Sequence, residues 1–273
     1  MKNHQHQPRK RFGQNFLKDN HVIQNIIAAI NPKPNDRVIE IGPGLGALTK
    51  PLLEHVIKLE VIELDRNLVT KLKDFSNAQD LTKKLIIHQA DALKFDYSQL
   101  ERNHDEKLRI IGNLPYNIST PLIFHLLNYC PIIQDMHFML QYELVERISS
   151  KPNHKSYGKL SVMLQYFCQA TTLFIVEPQA FYPAPKVRSA IIRLVPHASP
   201  AYPSNNIERL REVTGAAFNQ RRKTLANSLK NYLNQADFIT LVIDPRIRPE
   251  QLTVSEFVRI ANFIEDKLKL SPE

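Results

Sequence analysis

The stretch GNLPYNIST, Gly112 to Thr120, sets an Asn, a Pro and a Tyr where the apolar run LRII gives way to a helix-like pattern. Pro115 has no N–H and keeps Leu114 out of helical geometry, so the turn Asn113–Tyr116 is stiff. A stiff turn can present the Asn113 side-chain oxygen and the Leu114 backbone carbonyl together. Two converging acceptors suit an exocyclic amino group, whose lone pair is otherwise delocalised into its ring. Held through both N–H groups, such a nitrogen is drawn towards tetrahedral geometry and becomes a nucleophile. Tyr116 adds an aromatic face that can stack on a base and tolerate positive charge. Taken alone, the same four residues also read as a tight turn with a buried Tyr.

Upstream, VIEIGPGLGALT runs from a strand pattern through Gly42, Gly44 and Gly46 into the start of a helix, the build of a nucleotide-binding turn. Glycines let the backbone pass close to a ligand. The next strand, KLEVIEL, ends at Glu63, roughly 20 residues on, where a carboxylate can accept from both ribose hydroxyls. A third strand end carries Asp91 in HQADALKFD. Its carboxylate can accept from an adenine amino group, or it can serve as a helix N-cap.

These residues need a frame. From residue 37, β-rich runs (RVIEI, KLEVIEL, KLIIHQ, KLRIIGN, DMHFML) alternate with amphipathic stretches such as DRNLVTKLKDF and STPLIFHLLNYC. Such alternation predicts an α/β fold of Rossmann type, with parallel strands, crossover helices and ligands beyond the carboxyl ends of the strands. RLVPHASPAYPSNN breaks the pattern and reads as a linker. After it, IERLREVTGAAFNQRRKTLANSLKNYL and VSEFVRIANFIEDKLKL read as amphipathic helices. The expected division is a catalytic domain over residues 1–198, with a basic N-terminal segment, and a smaller all-helical domain over 199–273 for RNA recognition.

The loop narrows the nucleotide. A dinucleotide fingerprint reads GxGxxG, whereas this one reads GxGxG after Glu40 and lacks the glycine for tight helix packing. That form resembles the loop of methyltransferases that use S-adenosylmethionine. With such a cofactor, the amine held at Asn113 attacks a methyl group. Asn113 need not act as a base, because the cationic product can lose its proton to water. Proximity and in-line orientation then supply most of the acceleration.

Composition agrees with a soluble protein: 43% hydrophobic and 23% charged residues, and no apolar run near the roughly 20 residues that span a bilayer. The N-terminus is polar and basic, without the apolar stretch of a signal peptide, which points to the cytoplasm. Cys130 and Cys168 stand far apart outside any metal-binding spacing, and are expected to be buried thiols; no metal is expected. The formal charge of +9 favours a polyanionic partner. It gathers in two clusters, Arg9, Lys10 and Arg11 with Lys18, and Arg221, Arg222 and Lys223 with Lys230. Each suits phosphate contacts, or simply a solvated face. The helical region holds 11 Lys and Arg against 9 Asp and Glu, so the local cluster rather than net charge suggests RNA.

In order along the chain, GQNFL, IGPGLGALT, IELDR, ADAL, GNLPYNIST, FYPAPKVRSAIIRL and FNQRRKTLANSL give the sequence a strong family likeness. It resembles the ribosomal RNA adenine dimethyltransferases, most closely the small-subunit group. The resemblance covers nearly the whole chain. It implies S-adenosylmethionine-dependent dimethylation of N6 on two adjacent adenosines in the 3′-terminal hairpin loop of small-subunit rRNA, within an assembling 30S particle, by a monomer.

It also implies roles. Gln14, Asn15 and Leu17 would close over the methionine end of the cofactor, with Gly42 and Gly44 lining it. Glu63 would hold the ribose, Leu64 would pack on the adenine, and Asp91 with the Ala92 backbone would read the adenine edge. Asn113 and the Leu114 carbonyl would hold the target amine, and Tyr116 and Phe181 would sandwich the base. Without the family, Phe181 suits the core better than a platform. The target base must leave its stack to reach Asn113, which favours a hairpin loop or single strand. Competing readings are a large-subunit rRNA adenine methyltransferase of the antibiotic-resistance type, a protein glutamine methyltransferase with an Asn-Pro-Pro-Tyr turn, and a catalytically silent RNA-binding assembly or transcription factor.

Overall fold

The computed structural model describes residues 14–100, 106–220 and 222–270. The short Val-, Ile- and Leu-rich runs are strands with few exposed positions, as expected of a parallel sheet with helices on its faces. The chain begins β1 (Phe16–Leu17), α1 (Asn20–Ile30), β2 (Arg37–Ile41), α2 (Thr49–His55), β3 (Leu59–Glu63), α3 (Arg66–Ala78) and β4 (Leu85–Gln89). It continues with β5 (Leu108–Asn113), α4 (Ser119–Leu127), β6 (Ile133–Gln141), α5 (Tyr142–Ser149), α6 (Lys159–Phe167) and β7 (Cys168–Val176). The last elements are β8 (Phe181–Tyr182), β9 (Ser189–Pro196), α7 (Ile207–Phe218), α8 (Leu225–Ser228), α9 (Gln235–Leu241) and α10 (Val254–Leu270).

The main sheet has the order β4-β3-β2-β5-β6-β9-β7. Strands β4, β3, β2, β5 and β6 run parallel, in the registers Ile62↔His88, Glu40↔Val61, Ile39↔Ile110 and Asn113↔Met139. The carboxyl ends of β2, β3, β4 and β5 therefore share one edge. β9 returns antiparallel to β6, pairing Gln141 with Ser189, so the sheet is mixed rather than wholly parallel. A separate two-stranded sheet joins β1 to β8, with Leu17 opposite Phe181.

Local chemistry sets the helix ends. Asp19 caps α1 by accepting from the N–H groups of His21 (2.9 Å) and Val22 (3.1 Å), and Asn31 closes it in the left-handed region at φ 49°. Asp65 caps α3 through the Asn67 N–H at 2.9 Å. Cys168 is buried and Cys130 only partly so. No helix among the described residues is long and apolar enough to cross a membrane.

Two compact units emerge, one running to Val145 and including Thr171–Pro196, the other Glu146–Ala170 and the chain from His197. One boundary between them falls at Pro196 and His197. The segment Glu146–Ala170, however, belongs to the helical unit instead of the sheet unit. The reason is α6, whose Val162, Met163 and Leu164 are buried and which packs on α7 and α10. The stretch 207–233 is also not continuously helical. The N–H groups of Leu225 and Ala226 pair with the carbonyls of Ile247 (2.9 Å) and Pro245 (3.0 Å), bonds that replace those of an unbroken helix.

At the edge of the sheet opposite the shared carboxyl ends lies a buried ion pair. Arg109 forks onto Asp135, with Nε to Oδ1 and Nη2 to Oδ2 both at 2.9 Å, and reaches Asp36 Oδ2 at 2.6 Å and the Ile30 carbonyl at 2.8 Å. It ties β5, β6 and the end of α1 together. Arg109→Met would leave Asp135, 0% exposed, with Arg193 at 3.4 Å and the neutral His137 ring at 3.8 Å as its remaining partners among the described residues. We expect a loss of about 3–5 kcal/mol in unfolding free energy, measured by urea denaturation at neutral pH.

Candidate active site

The four aligned strand ends, the segment before α1 and the turn after β5 enclose a cavity of about 230 Å³. All the expected cofactor contacts line it, from Gln14, Asn15 and Leu17 through Gly42, Gly44, Glu63 and Leu64 to Asp91 and Ala92. The whole turn Asn113, Leu114, Pro115 and Tyr116 lines it too.

The glycine loop bends sharply after β2, with Gly42, Gly44 and Gly46 all at positive φ. At Gly44 the space is taken as well, since a Cβ there would lie 3.2 Å from the Phe16 ring. The loop is thereby closed over by the segment leading into α1. Gly44 donates its N–H to Glu63 Oε2 at 3.3 Å, and the Asp65 N–H reaches Oε1 at 2.9 Å. Each carboxylate oxygen keeps lone-pair capacity for a hydroxyl. Burial raises the Glu63 pKa against these two backbone hydrogen bonds.

Beside it, Glu40 is 2% exposed and accepts from Thr49 Oγ1 at 2.6 Å. Burial, reinforced by the charge on Glu63, pushes its carboxyl up to about 8. Two buried acids facing one cavity suit a ligand that offers hydroxyl donors. Asp91 turns the loop after β4, its Oδ1 accepting from the Leu93 N–H at 3.0 Å. This is an Asx-type turn that leaves its other oxygen for the cavity.

At the end of β5 the Asn113 side chain donates from Nδ2 to the Asn15 carbonyl at 3.1 Å. A carbonyl only accepts, so the amide orientation is set and Oδ1 is left as the acceptor. Pro115 turns the chain, its carbonyl accepting from the Ile118 N–H at 3.1 Å and from Ser119 Oγ at 2.9 Å. The Tyr116 hydroxyl is anchored to Ser189 Oγ at 2.8 Å, and burial raises its pKa, so the phenol stays neutral. One step earlier, a Cβ on Gly112 would meet the Ile41 carbonyl oxygen at 2.8 Å and Leu114 Cδ2 at 2.7 Å. β5 can approach β2 this closely only with glycine there.

One expected site residue lies apart from the cavity, and others fall outside the described residues. Phe181 does not reach the cavity wall. It is 2% exposed, within the core that includes Leu17, Met139 and Ile191, so a base could stack on it only after neighbouring groups moved. Tyr182, next to it on β8, is the exposed aromatic at 62%. Arg9, Lys10, Arg11 and Arg221 lie outside the described residues. Arg222, Lys223, Lys18 and Lys230 are exposed.

Phe16, Thr49, Gly112 and Ser189 support the site without having been singled out. Only Gly112, a glycine directly before Asn113 in a strand, carried a signal in the sequence. Glu40 yields a pH prediction. Between its ordinary value of 4.5 and about 8 the folded state holds a proton that the unfolded state lacks, so stability falls as pH rises through that window. Glu40→Gln removes this term and keeps an acceptor for Thr49. We expect its stability gain over the parent to grow by about 1.4 kcal/mol per pH unit across the window, read by urea denaturation at several pH values.

Comparison with known proteins gives the family. A sequence model described as ribosomal RNA adenine dimethylase matches residues 5–266. The ribosomal RNA small subunit methyltransferase A of Marinomonas sp. (strain MWYL1) is 51% identical over 267 residues, covering 97% of this chain and 98% of that protein. Its namesake from Colwellia psychrerythraea is 52% identical over 261 residues, covering 96% and 85%. Among solved structures, a dimethyladenosine transferase from Plasmodium falciparum superposes with a TM-score of 0.75 at 25% identity, over 90% of this chain and 95% of that one. The 23S rRNA methyltransferase ErmE shares the fold, with a TM-score of 0.70 at 22% identity over 92% and 100%. The chain belongs to the ribosomal RNA adenine dimethylase family.

Proposed function

We propose that this chain is the S-adenosylmethionine-dependent enzyme that dimethylates N6 of two adjacent adenosines in the 3′-terminal hairpin loop of small-subunit rRNA. The observation that carries the reading is the Asn113 amide, held by Asn15 with Oδ1 left to accept, on the same cavity as Glu63 and Asp91. When bound, S-adenosylmethionine supplies an electrophilic methyl group on a sulfonium. The protein's task is to hold and orient.

Glu63 takes the ribose hydroxyls, Leu64 covers the cofactor adenine, and Asp91 with Ala92 reads its edge. Gln14, Asn15 and Leu17 cover the methionine end, and Gly42 and Gly44 bring backbone close. Asn113 Oδ1 and the Leu114 carbonyl accept from the target amine and expose its lone pair. Tyr116 supports the base face and the passing positive charge. No side chain has to take a proton in the methyl-transfer step, because the cationic product is acidic enough to lose one to water. Such a site works by orientation and fixed dipoles.

The helical unit and the basic clusters Arg9, Lys10, Arg11 and Arg221, Arg222, Lys223 would grip phosphates, positioning the RNA without reading its sequence. On this reading the enzyme acts as a cytoplasmic monomer on rRNA in an assembling 30S particle. The names of the relatives favour the small subunit over the large, and intact Glu63, Asp91 and Asn113 favour an enzyme over a silent RNA-binding factor.

Incubation with labelled cofactor and unmodified small subunits, followed by mass spectrometry of rRNA nucleosides, should yield N6,N6-dimethyladenosine. Label on large subunits or protein instead would reject the assignment. Asn113→Ala should cut turnover about a hundredfold or more, against a loss of cofactor affinity of no more than about fivefold, the worth of its hydrogen bond to Asn15. Glu63→Ala should instead weaken cofactor binding, as seen by calorimetry, by about tenfold, the scale of a charge-assisted hydrogen bond.

A further inference from the structure

The loop assigned to the cofactor adenine is gripped from behind by groups with no role so far. Asp91 folds the chain back, its carbonyl accepting from the Lys94 N–H at 2.9 Å. Tyr97, 0% exposed, sends its hydroxyl to the Ala92 carbonyl at 3.2 Å. His125, on α4, places Nε2 at 2.9 Å from the Phe95 carbonyl. A carbonyl can only accept, so Nε2 carries the proton and donates. The rings close the contact, with centroids 5.8 Å apart for His125 and Tyr97 and 5.2 Å for Tyr97 and Phe95. α4 starts at the target turn, where Ser119 Oγ donates to the Pro115 carbonyl. His125 therefore stands about two helical turns from the residues that would hold the target amine.

We propose that His125 is a positioning residue for cofactor recognition: through the Phe95 carbonyl and the Tyr97 ring it holds the Asp91–Ala92 turn against α4. The inference rests on the reading of Asp91 as the adenine ligand. Telling an exocyclic amine from a carbonyl requires an acceptor that stays in place, because a carboxylate free to swing accepts from water. His125 and Tyr97 each fix one carbonyl of the loop, and together they hold the acceptor beside the target turn.

The test compares the affinities of S-adenosylhomocysteine and S-inosylhomocysteine, which carry an amine and a carbonyl at the same ring position. In His125→Leu the affinity for the adenosyl ligand should fall about fivefold, the worth of one neutral hydrogen bond, and that for the inosyl ligand should hold, so the preference contracts by the same factor. His125→Gln, which keeps an N–H in place of Nε2, should restore it. The KM for S-adenosylmethionine should rise in His125→Leu, with turnover at saturation little changed. Should His125→Leu fail to fold, Tyr97→Phe removes only the hydroxyl and carries the same test. An unchanged preference, or an equal loss for both ligands, would overturn the proposal. Asp91→Ala separates the two ideas: if it also leaves the preference intact, the reading of Asp91 has failed.

Discussion

A single hydrogen bond, from Asn113 Nδ2 to the Asn15 carbonyl at 3.1 Å, ties the two halves of the site together. It uses the donor end of the amide and so dictates which end faces the cavity. The partner is backbone, and that backbone is itself fixed. Phe16 lies against Gly44, and β1 pairs with β8 in the register Leu17↔Phe181. The segment over the cavity and the turn that would hold the amine are thus parts of one construction.

The second constraint is electrostatic. Glu40 and Glu63 are both buried, at 2% and 8% exposure, and each has a hydrogen-bond partner that offsets part of the cost of burial. The described lining of the cavity holds these acids and no Lys or Arg, so it is poorly matched to phosphates and well matched to a ligand with hydroxyl donors. The same glycine loop that would cradle a pyrophosphate in a dinucleotide enzyme here donates an N–H to a protein carboxylate. That difference, visible only in three dimensions, accords with the GxGxG spacing.

Much of the sheet was legible because its strands are short, apolar and separated by polar turns. Val38 to Ile41 and Leu59 to Ile62 are buried without interruption, which is the pattern a doubly covered parallel strand must show. The cavity residues were legible because they fall at strand ends and carry chemistry that strand interiors do not. What escaped was governed by tertiary partners. The α7–α8 break depends on the Ile247 and Pro245 carbonyls, more than fifteen residues away. The allegiance of α6 depends on α7 and α10. Phe181 has the residue type of a platform, but its place between β1 and the core follows from strand pairing that no local pattern announces.

The Tyr116 hydroxyl, held by Ser189 at the start of β9, fixes the ring at its far rim. A wall fixed at both ends cannot swing outward to make room. If the proposed reading of Tyr116 holds, a base coming back with one methyl would meet the same gap above the ring that it met when bare, and its extra carbon would be lodged edgewise, in the plane of the purine.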